Sequence, residues 1–402
     1  MIPTLSRWMA RFAWLLIAAA MMACASKATP LSNDAYVWQR QWTPSLVRAL
    51  ADDGQSVRAW RVLAGEMDVH GQWRVFTPDG QALAASGKPV IAVLRIEGQL
   101  QRWDEAALLA DVRGVLATWR QQNLRFAGVE IDHDCATSRL PAYAHFLQAL
   151  RPSLLPDERL SVTALPTWLG SPDLDHLLAQ ADEAVLQVHA VQSPRAGLFN
   201  PDQARLWLTA FAGHTHKPWR VALPAYGTRV NWDEQGRVAS IESERPTLVG
   251  LEGSSELFAD PRTMQHVVAS LEQDTPRGLV GIVWFRLPTG GDARAWSEAS
   301  WRAVLGRTPL QASLAAVASG TDDPHRYDVR LVNDGDADLP LPPLIRIDGA
   351  CMAADGIHGY GLQRGERGLY LQRARVGVLR AGREQVVGWL RCATAPTLRI
   401  ES

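Results

Sequence analysis

The sequence predicts an α/β fold: a (β/α)8 TIM barrel followed by a small all-β, sandwich-like domain. Three observations carry this. Short β-branched or apolar runs recur eight times between residues 35 and 290, mostly separated by segments with apolar residues at helical spacing. No glycine-rich phosphate loop follows any of these runs, which argues against a doubly wound sheet. From about residue 306 the helical pattern thins, and short strands divided by turn residues take over.

The N-terminus comes first. Residues 1–11 carry Arg7 and Arg11 and no acid, residues 12–23 (FAWLLIAAAMMA) are continuously apolar, and Cys24 follows Ala23. A basic start, a short apolar run and a small residue before the cut describe a signal peptide over 1–23. The run is too short to cross a bilayer core, which takes about 20 residues. The cysteine at this place resembles the lipobox of bacterial lipoproteins, which implies lipidation at Cys24 and a membrane anchor in the cell envelope. Ala25, rather than Asp, resembles the outer-membrane sorting pattern, with the chain facing the periplasm. Residues 24–34 then form the anchor site and a polar tether.

The barrel is expected over 35–305. Its strand candidates are 36–42, 56–66, 89–97, 126–134, 160–168, 183–189, 218–226 and 278–287. Among the helices between them, 103–122 repeats Leu108, Val112, Val115 and Trp119, and 138–151 and 261–273 read the same way. In the module expected over 306–402, strands are read at 326–332, 343–348, 369–372, 374–379 and 385–390. Asn333-Asp334-Gly335 and Asp355-Gly356 supply turns. Cys351 and Cys392 both fall in this module and are paired as a disulfide. Closing a loop of about 41 residues stabilises by roughly 4 kcal/mol in the chain-entropy view. Cys135 is left as a buried free thiol.

Composition excludes several functions. Forty-one Lys and Arg against 42 Asp and Glu, with no basic stretch, leave no electrostatic footprint for nucleic acid. No CxxC or HExxH spacing indicates a metal site, and no cofactor is implied. The 16 tryptophans are numerous enough to provide both packing and stacking surfaces for sugar rings.

The most informative stretch is Ala127-Gly128-Val129-Glu130-Ile131-Asp132-His133-Asp134. Side chains alternate along a strand, so Glu130, Asp132 and Asp134 share one face, about 6.6 Å apart from neighbour to neighbour. Three such carboxylates cannot all ionise cheaply, so at least one pKa should rise, as a general acid near neutral pH requires. Asp134 would sit at the C-terminal end of the strand, where barrel enzymes place their chemistry. A solvated acidic barrel mouth is the bland alternative.

This stretch resembles the strand-four signature of family 18 glycoside hydrolases, the chitinase-like enzymes, written Asp-Gly-x-Asp-x-Asp-x-Glu. Ala127 replaces the first Asp, Gly128 matches, Glu130 stands for the second Asp, Asp132 matches the third, and Asp134 replaces the final Glu. The resemblance implies Asp134 as acid and Asp132 as the partner orienting an N-acetyl group, with Glu130 tuning both. A broader similarity rests on AYVWQRQW, LAGE, GVEIDHDC, TALPTWL and VRLVNDGDADLPLP together. It points to a bacterial family catalogued as domain of unknown function 3142 and implies architecture rather than a reaction.

Other candidates stand at strand ends. Glu66 closes the second strand, Arg95 and Glu97 share a face on the third, and Trp168 ends the fifth. Gln187 and His189 share a face on the sixth, Tyr226 ends the seventh, and Trp284 and Arg286 share a face on the eighth. Together they would surround the acids with substrate-binding groups, with Trp168 and Trp284 as the aromatic platforms. Family 18 enzymes place a tryptophan comparable to Trp284 under the sugar. A salt bridge from Arg95 to Glu97 or Glu130 is the bland alternative there. The expected function is an envelope glycoside hydrolase acting on an exported or cell-surface polysaccharide. A non-catalytic glycan-binding lipoprotein with a degenerate barrel is the alternative, and a structural envelope protein a third.

Overall fold

The computed structural model describes residues 30–191, 193–242, 253–365 and 368–401; the expected signal peptide and Cys24 lie outside the described residues. The barrel strands are β1 (Ser32–Val37), β2 (Ala59–Met67), β3 (Val90–Ile96) and β4 (Gly128–His133). They continue with β5 (Arg159–Ala164), β6 (Glu183–Gln187), β7 (Trp219–Pro224) and β8 (Leu279–Phe285). All pair in parallel, and β1 joins both β8 and β2, so the sheet closes on itself. The expected α/β class and barrel are both present.

Helices follow the strands, and their apolar faces cover the outside of the barrel. The helix after β3, α1 (Glu105–Gln121), shows why: Asp104 caps it, and Leu108, Val112, Val115, Leu116 and Trp119 are buried along one side. After β4, α2 (Leu140–Leu150) buries Tyr143, Phe146 and Leu147, and the Tyr143 hydroxyl donates to the Ile131 carbonyl of β4 at 3.0 Å. The helix after β8, α3 (Glu298–Leu305), begins at the cap Ser297.

The first strand differs from expectation. It begins at Ser32, inside the stretch read as tether, and ends at Val37, before much of the run read as strand. The reason lies in the barrel interior. Asp34 is fully buried and accepts from Arg61 at 3.1 Å and from Arg58 at 2.6 Å. Arg61, on β2, also binds Glu130 of β4 and Glu183 of β6, while Arg220 of β7 reaches Glu183 at 3.0 Å. Charged side chains thus fill an interior layer that such barrels usually fill with branched apolar groups. Gly281 of β8 leaves the space this needs: a Cβ there would stand 2.0 Å from a terminal nitrogen of Arg220.

Two excursions leave the barrel at its C-terminal mouth. A short strand, Trp73–Val75, pairs back on β2, and an antiparallel sheet of Gly227–Trp232, Val238–Glu242 and Ser254–Phe258 follows β7. The C-terminal domain has two four-stranded antiparallel sheets around Val329, Leu331, Ile345, Leu371, Val387 and Leu390. The Cys351–Cys392 disulfide joins adjacent strands of one sheet. The domain grips the start of α3. Asp338 accepts from the Ser297 amide at 2.7 Å, the Ser300 hydroxyl donates to the Asp336 carbonyl at 2.9 Å, and Arg380 donates to the Ala295 carbonyl at 2.7 Å.

Removing one partner from a buried ion network leaves uncompensated charge. Arg61→Met leaves Glu130 buried without a cation and weakens the pairing of Asp34 and Glu183, so we expect a stability loss of about 3–5 kcal/mol, measured by denaturant unfolding. A change below about 1 kcal/mol would show that the layer is not held by this guanidinium.

Candidate functional site

A cavity of about 770 Å³ opens at the C-terminal mouth of the barrel. Its chemistry is set by strand alternation on β4. Val129 and Ile131 face the helices, so Glu130 and Asp132 face inward, and Asp134 follows just past the strand end. The acids stand at different depths. Glu130 is fully buried below the cavity, where Arg61 holds one oxygen and the Tyr36 hydroxyl donates to the other at 2.5 Å. Ser161 and Thr163 of β5 add hydroxyl bonds at 3.2 and 3.3 Å. Glu130 therefore sits in the structural charge layer rather than among the catalytic groups, because its acceptor sites are already filled from below and beside.

Asp132 and Asp134 do reach the cavity. Arg95 of β3 lies in register with Asp132, so its guanidinium falls between the two acids, 3.3 Å from Asp132 and 3.6 Å from Asp134. Its ion pairs are with these two acids rather than with Glu97 or Glu130, although the Glu97 charge also acts on it. Among the described residues, the Oδ1 atoms of both aspartates are buried without a hydrogen-bond partner. Burial, reinforced by the neighbouring Asp134 charge and opposed by Arg95, pushes Asp132 up to about 7. Burial also raises Asp134, again against the pull of Arg95. One guanidinium can balance one negative charge, so the pair holds a proton more readily than free carboxylates do.

The other expected residues divide. Glu66, Glu97, Gln187, His189, Tyr226 and Arg286 all line the cavity. Glu66 is held by Arg40 at 2.7 Å and Arg74 at 3.5 Å, and Arg286 by Asp292 at 2.6 Å, with its guanidinium over the Tyr226 ring. Gln187 donates to the His189 carbonyl at 3.1 Å. His189 is buried, which pushes its pKa down to about 3, so its ring is neutral.

The two expected platforms are not platforms. Trp168 is fully buried in a turn after β5, donating to the Cys135 carbonyl at 2.9 Å and packing on Tyr143. Trp284 points out of the barrel, donates to the Asn33 side chain at 3.0 Å, and packs on Trp296 and Trp301. Its neighbour Phe285 faces the cavity instead. There it touches Tyr36, Trp38, His189 and Tyr226, with ring centroids 5.1–5.7 Å apart, forming an aromatic wall across from the acids. Trp73, on the short strand beside β2, adds a further aromatic. The Cys135 thiol is buried and its pKa is pushed up to about 12, so it is no nucleophile. Among the described residues no three His, Cys, Asp or Glu side chains are placed to hold a metal ion.

Comparison with known proteins agrees with this architecture. A family model described as a domain of unknown function (DUF3142) matches residues 86–290. A second, also described as a domain of unknown function (DUF8456), matches residues 316–393. No curated protein matches the chain in sequence. Among solved structures, the spore cortex-lytic enzyme SleL of Bacillus cereus is similar with a TM-score of 0.51 and 16% identity, over 70% of this chain and 75% of that one. A chitinase from Chromobacterium violaceum matches with a TM-score of 0.48 and 16% identity, over 68% of this chain and 98% of that one. The barrel fold is similar to that of the cortex-lytic enzyme.

The raised pKa of Asp132 has a stability consequence. Its folded value near 7 exceeds its unfolded value near 3.8, so the folded state holds the extra proton between them. The stability this contributes is complete below about pH 4 and disappears as pH rises through 7. Asp132→Asn should therefore flatten the pH dependence of unfolding between pH 4 and 8. Parallel stability–pH curves for the variant and the native protein would refute the assignment.

Proposed function

The chain belongs to the family described as domain of unknown function 3142, a description that assigns no activity, and we propose from its site that it is a glycoside hydrolase of the cell envelope. One observation carries the proposal: a buried and a half-buried aspartate share one guanidinium at the mouth of a large cavity faced by aromatic rings. In this reading Asp134, the more exposed of the two, gives its proton to the glycosidic oxygen as the bond to the anomeric carbon breaks. Arg95 then faces the carboxylate that remains. Asp132 orients the acetamido group whose oxygen attacks the anomeric carbon, or itself acts as the second carboxylate. Water completes hydrolysis as Asp134 takes back a proton. The aromatic wall stacks on sugar rings. The likeness to a spore cortex-lytic enzyme is consistent with a glycan as ligand.

A glycan-binding lipoprotein without turnover is favoured by one observation. Arg95 lies against the oxygen of Asp134 that would deliver the proton, and could hold it as a carboxylate. The substrate class, an exported or cell-surface polysaccharide, follows from the proposed export and lipidation at Cys24.

Reducing-end release from a panel of envelope glycans tests the reaction. Asp134→Asn should lower release at least about 100-fold, as loss of a general acid does. Tight binding by both proteins without release would leave the binding reading. Separately, Cys24→Ser should move the protein from the membrane fraction to the soluble one; retention in the membrane would refute lipid anchoring.

A further inference from the structure

We propose that the glycan taken by this cavity carries free amino groups beside its N-acetylated units, and that Glu97, next to the Asp132–Asp134 pair, receives a protonated amine; this rests on the glycan-cleft reading above.

The charges around the cavity are not evenly matched. On the β2 side Glu66 is held by Arg40 and Arg74, and at the β8 end Arg286 is held by Asp292. On the β3–β4 side, Arg95 faces Asp132, Asp134 and Glu97. Arg95 is one cation among three carboxylates, and its ion pairs go to the two aspartates, which leaves Glu97 over. Among the described residues the Glu97 carboxylate forms no ion pair and accepts only a long bond from the Gln99 amide, at 3.4 Å. The Glu97 charge acts on Asp134, and between them the Gly98 backbone packs so tightly on Asp134 that a Cβ would lie 2.0 Å from the Asp134 carbonyl oxygen.

Occupation of the cavity would remove water from Glu97. Desolvating a carboxylate without a counter-charge is costly, and a neutral N-acetylated sugar supplies none. An ammonium group does. Two further features of the wall suit a cation. Asp132, only 5% exposed, borders the cavity with one oxygen on Arg95 and the other buried without a partner among the described residues. Across the cavity Tyr36, Trp38 and Phe285 present aromatic rings, whose faces attract cations. An amino sugar therefore meets stacking on one side and uncompensated negative charge on the other.

The test uses chito-oligosaccharides of one length, fully N-acetylated or partly de-N-acetylated, titrated calorimetrically into the native protein and Glu97→Gln, with reducing ends assayed in parallel. The native protein should bind the partly de-N-acetylated oligomer at least about tenfold tighter, a preference that weakens with added salt. In Glu97→Gln the preference should fall below about threefold, with the thermal unfolding midpoint unchanged. Equal affinity for both oligomers, or a preference that survives in Glu97→Gln, overturns the proposal. Preference without release sinks the hydrolase reading and keeps this one, whereas release without preference does the reverse. Binding of neither oligomer overturns both.

Discussion

The structure depends on a guanidinium placed where none can be solvated. Arg61 lies fully buried inside the barrel, against Asp34, Glu130 and Glu183, which come from three different strands. A buried charge persists only when it is paired and hydrogen-bonded on all sides. This requirement ties β1, β2, β4 and β6 into one register, and Arg220 adds β7. A slip of one residue in any of these strands would turn its charged group outward into the apolar helix layer. The layer therefore acts as a register lock. That is the best-attested use of buried ionic groups, whose net contribution to stability against an apolar substitute is often small.

The charge layer also separates the acids of β4 by function. With Arg61 beneath it and the hydroxyls of Tyr36, Ser161 and Thr163 around it, Glu130 has no lone pair left for a mobile proton. Any proton exchanged with a ligand is confined to Asp132 and Asp134, the two members that border the cavity. Tyr36 is the link between the levels: its hydroxyl points down to Glu130, while its ring belongs to the aromatic wall above. The site is thus built on a floor whose polar groups are already satisfied.

How much of this was legible varies from strand to strand, for physical reasons. The acids of β4 alternate with Val129 and Ile131, so their common face could be read directly. On β8 the run LVGIVWF is apolar throughout, because a parallel strand is buried on both sides. Without alternation there is no phase, and Trp284 was expected inside where Phe285 stands. Trp168 failed differently: the strand ends at Ala164, and the turn beyond it folds the indole behind the sheet. The start of β1 was hidden because Ser32-Asn33-Asp34 is polar, and polar residues before a strand look like tether. They are polar because they face other charges within the barrel, a pairing between residues far apart in sequence. The same distance hid Arg61 and Arg220, and placed Trp38 and Trp73 at the cavity without any local pattern to announce them.

The contrast between floor and rim bears on what the cavity is for. Below, every charged group named in the layer has a partner on another strand, and stability requires it. At the rim, Asp132 and Asp134 each keep a buried oxygen unpartnered among the described residues, and Glu97 forms no ion pair there. Leaving a buried acceptor unmet costs about 1–3 kcal/mol, and the cost is larger for a charged one. A fold able to match buried charges across five strands could have matched these as well. Unmet groups gathered on one wall of one cavity, facing aromatic rings, have the character of a site that is completed by its ligand. Arg95 sets the limit of that incompleteness. It offsets enough charge for the two aspartates to coexist in the folded state, and leaves the wall short of one positive charge.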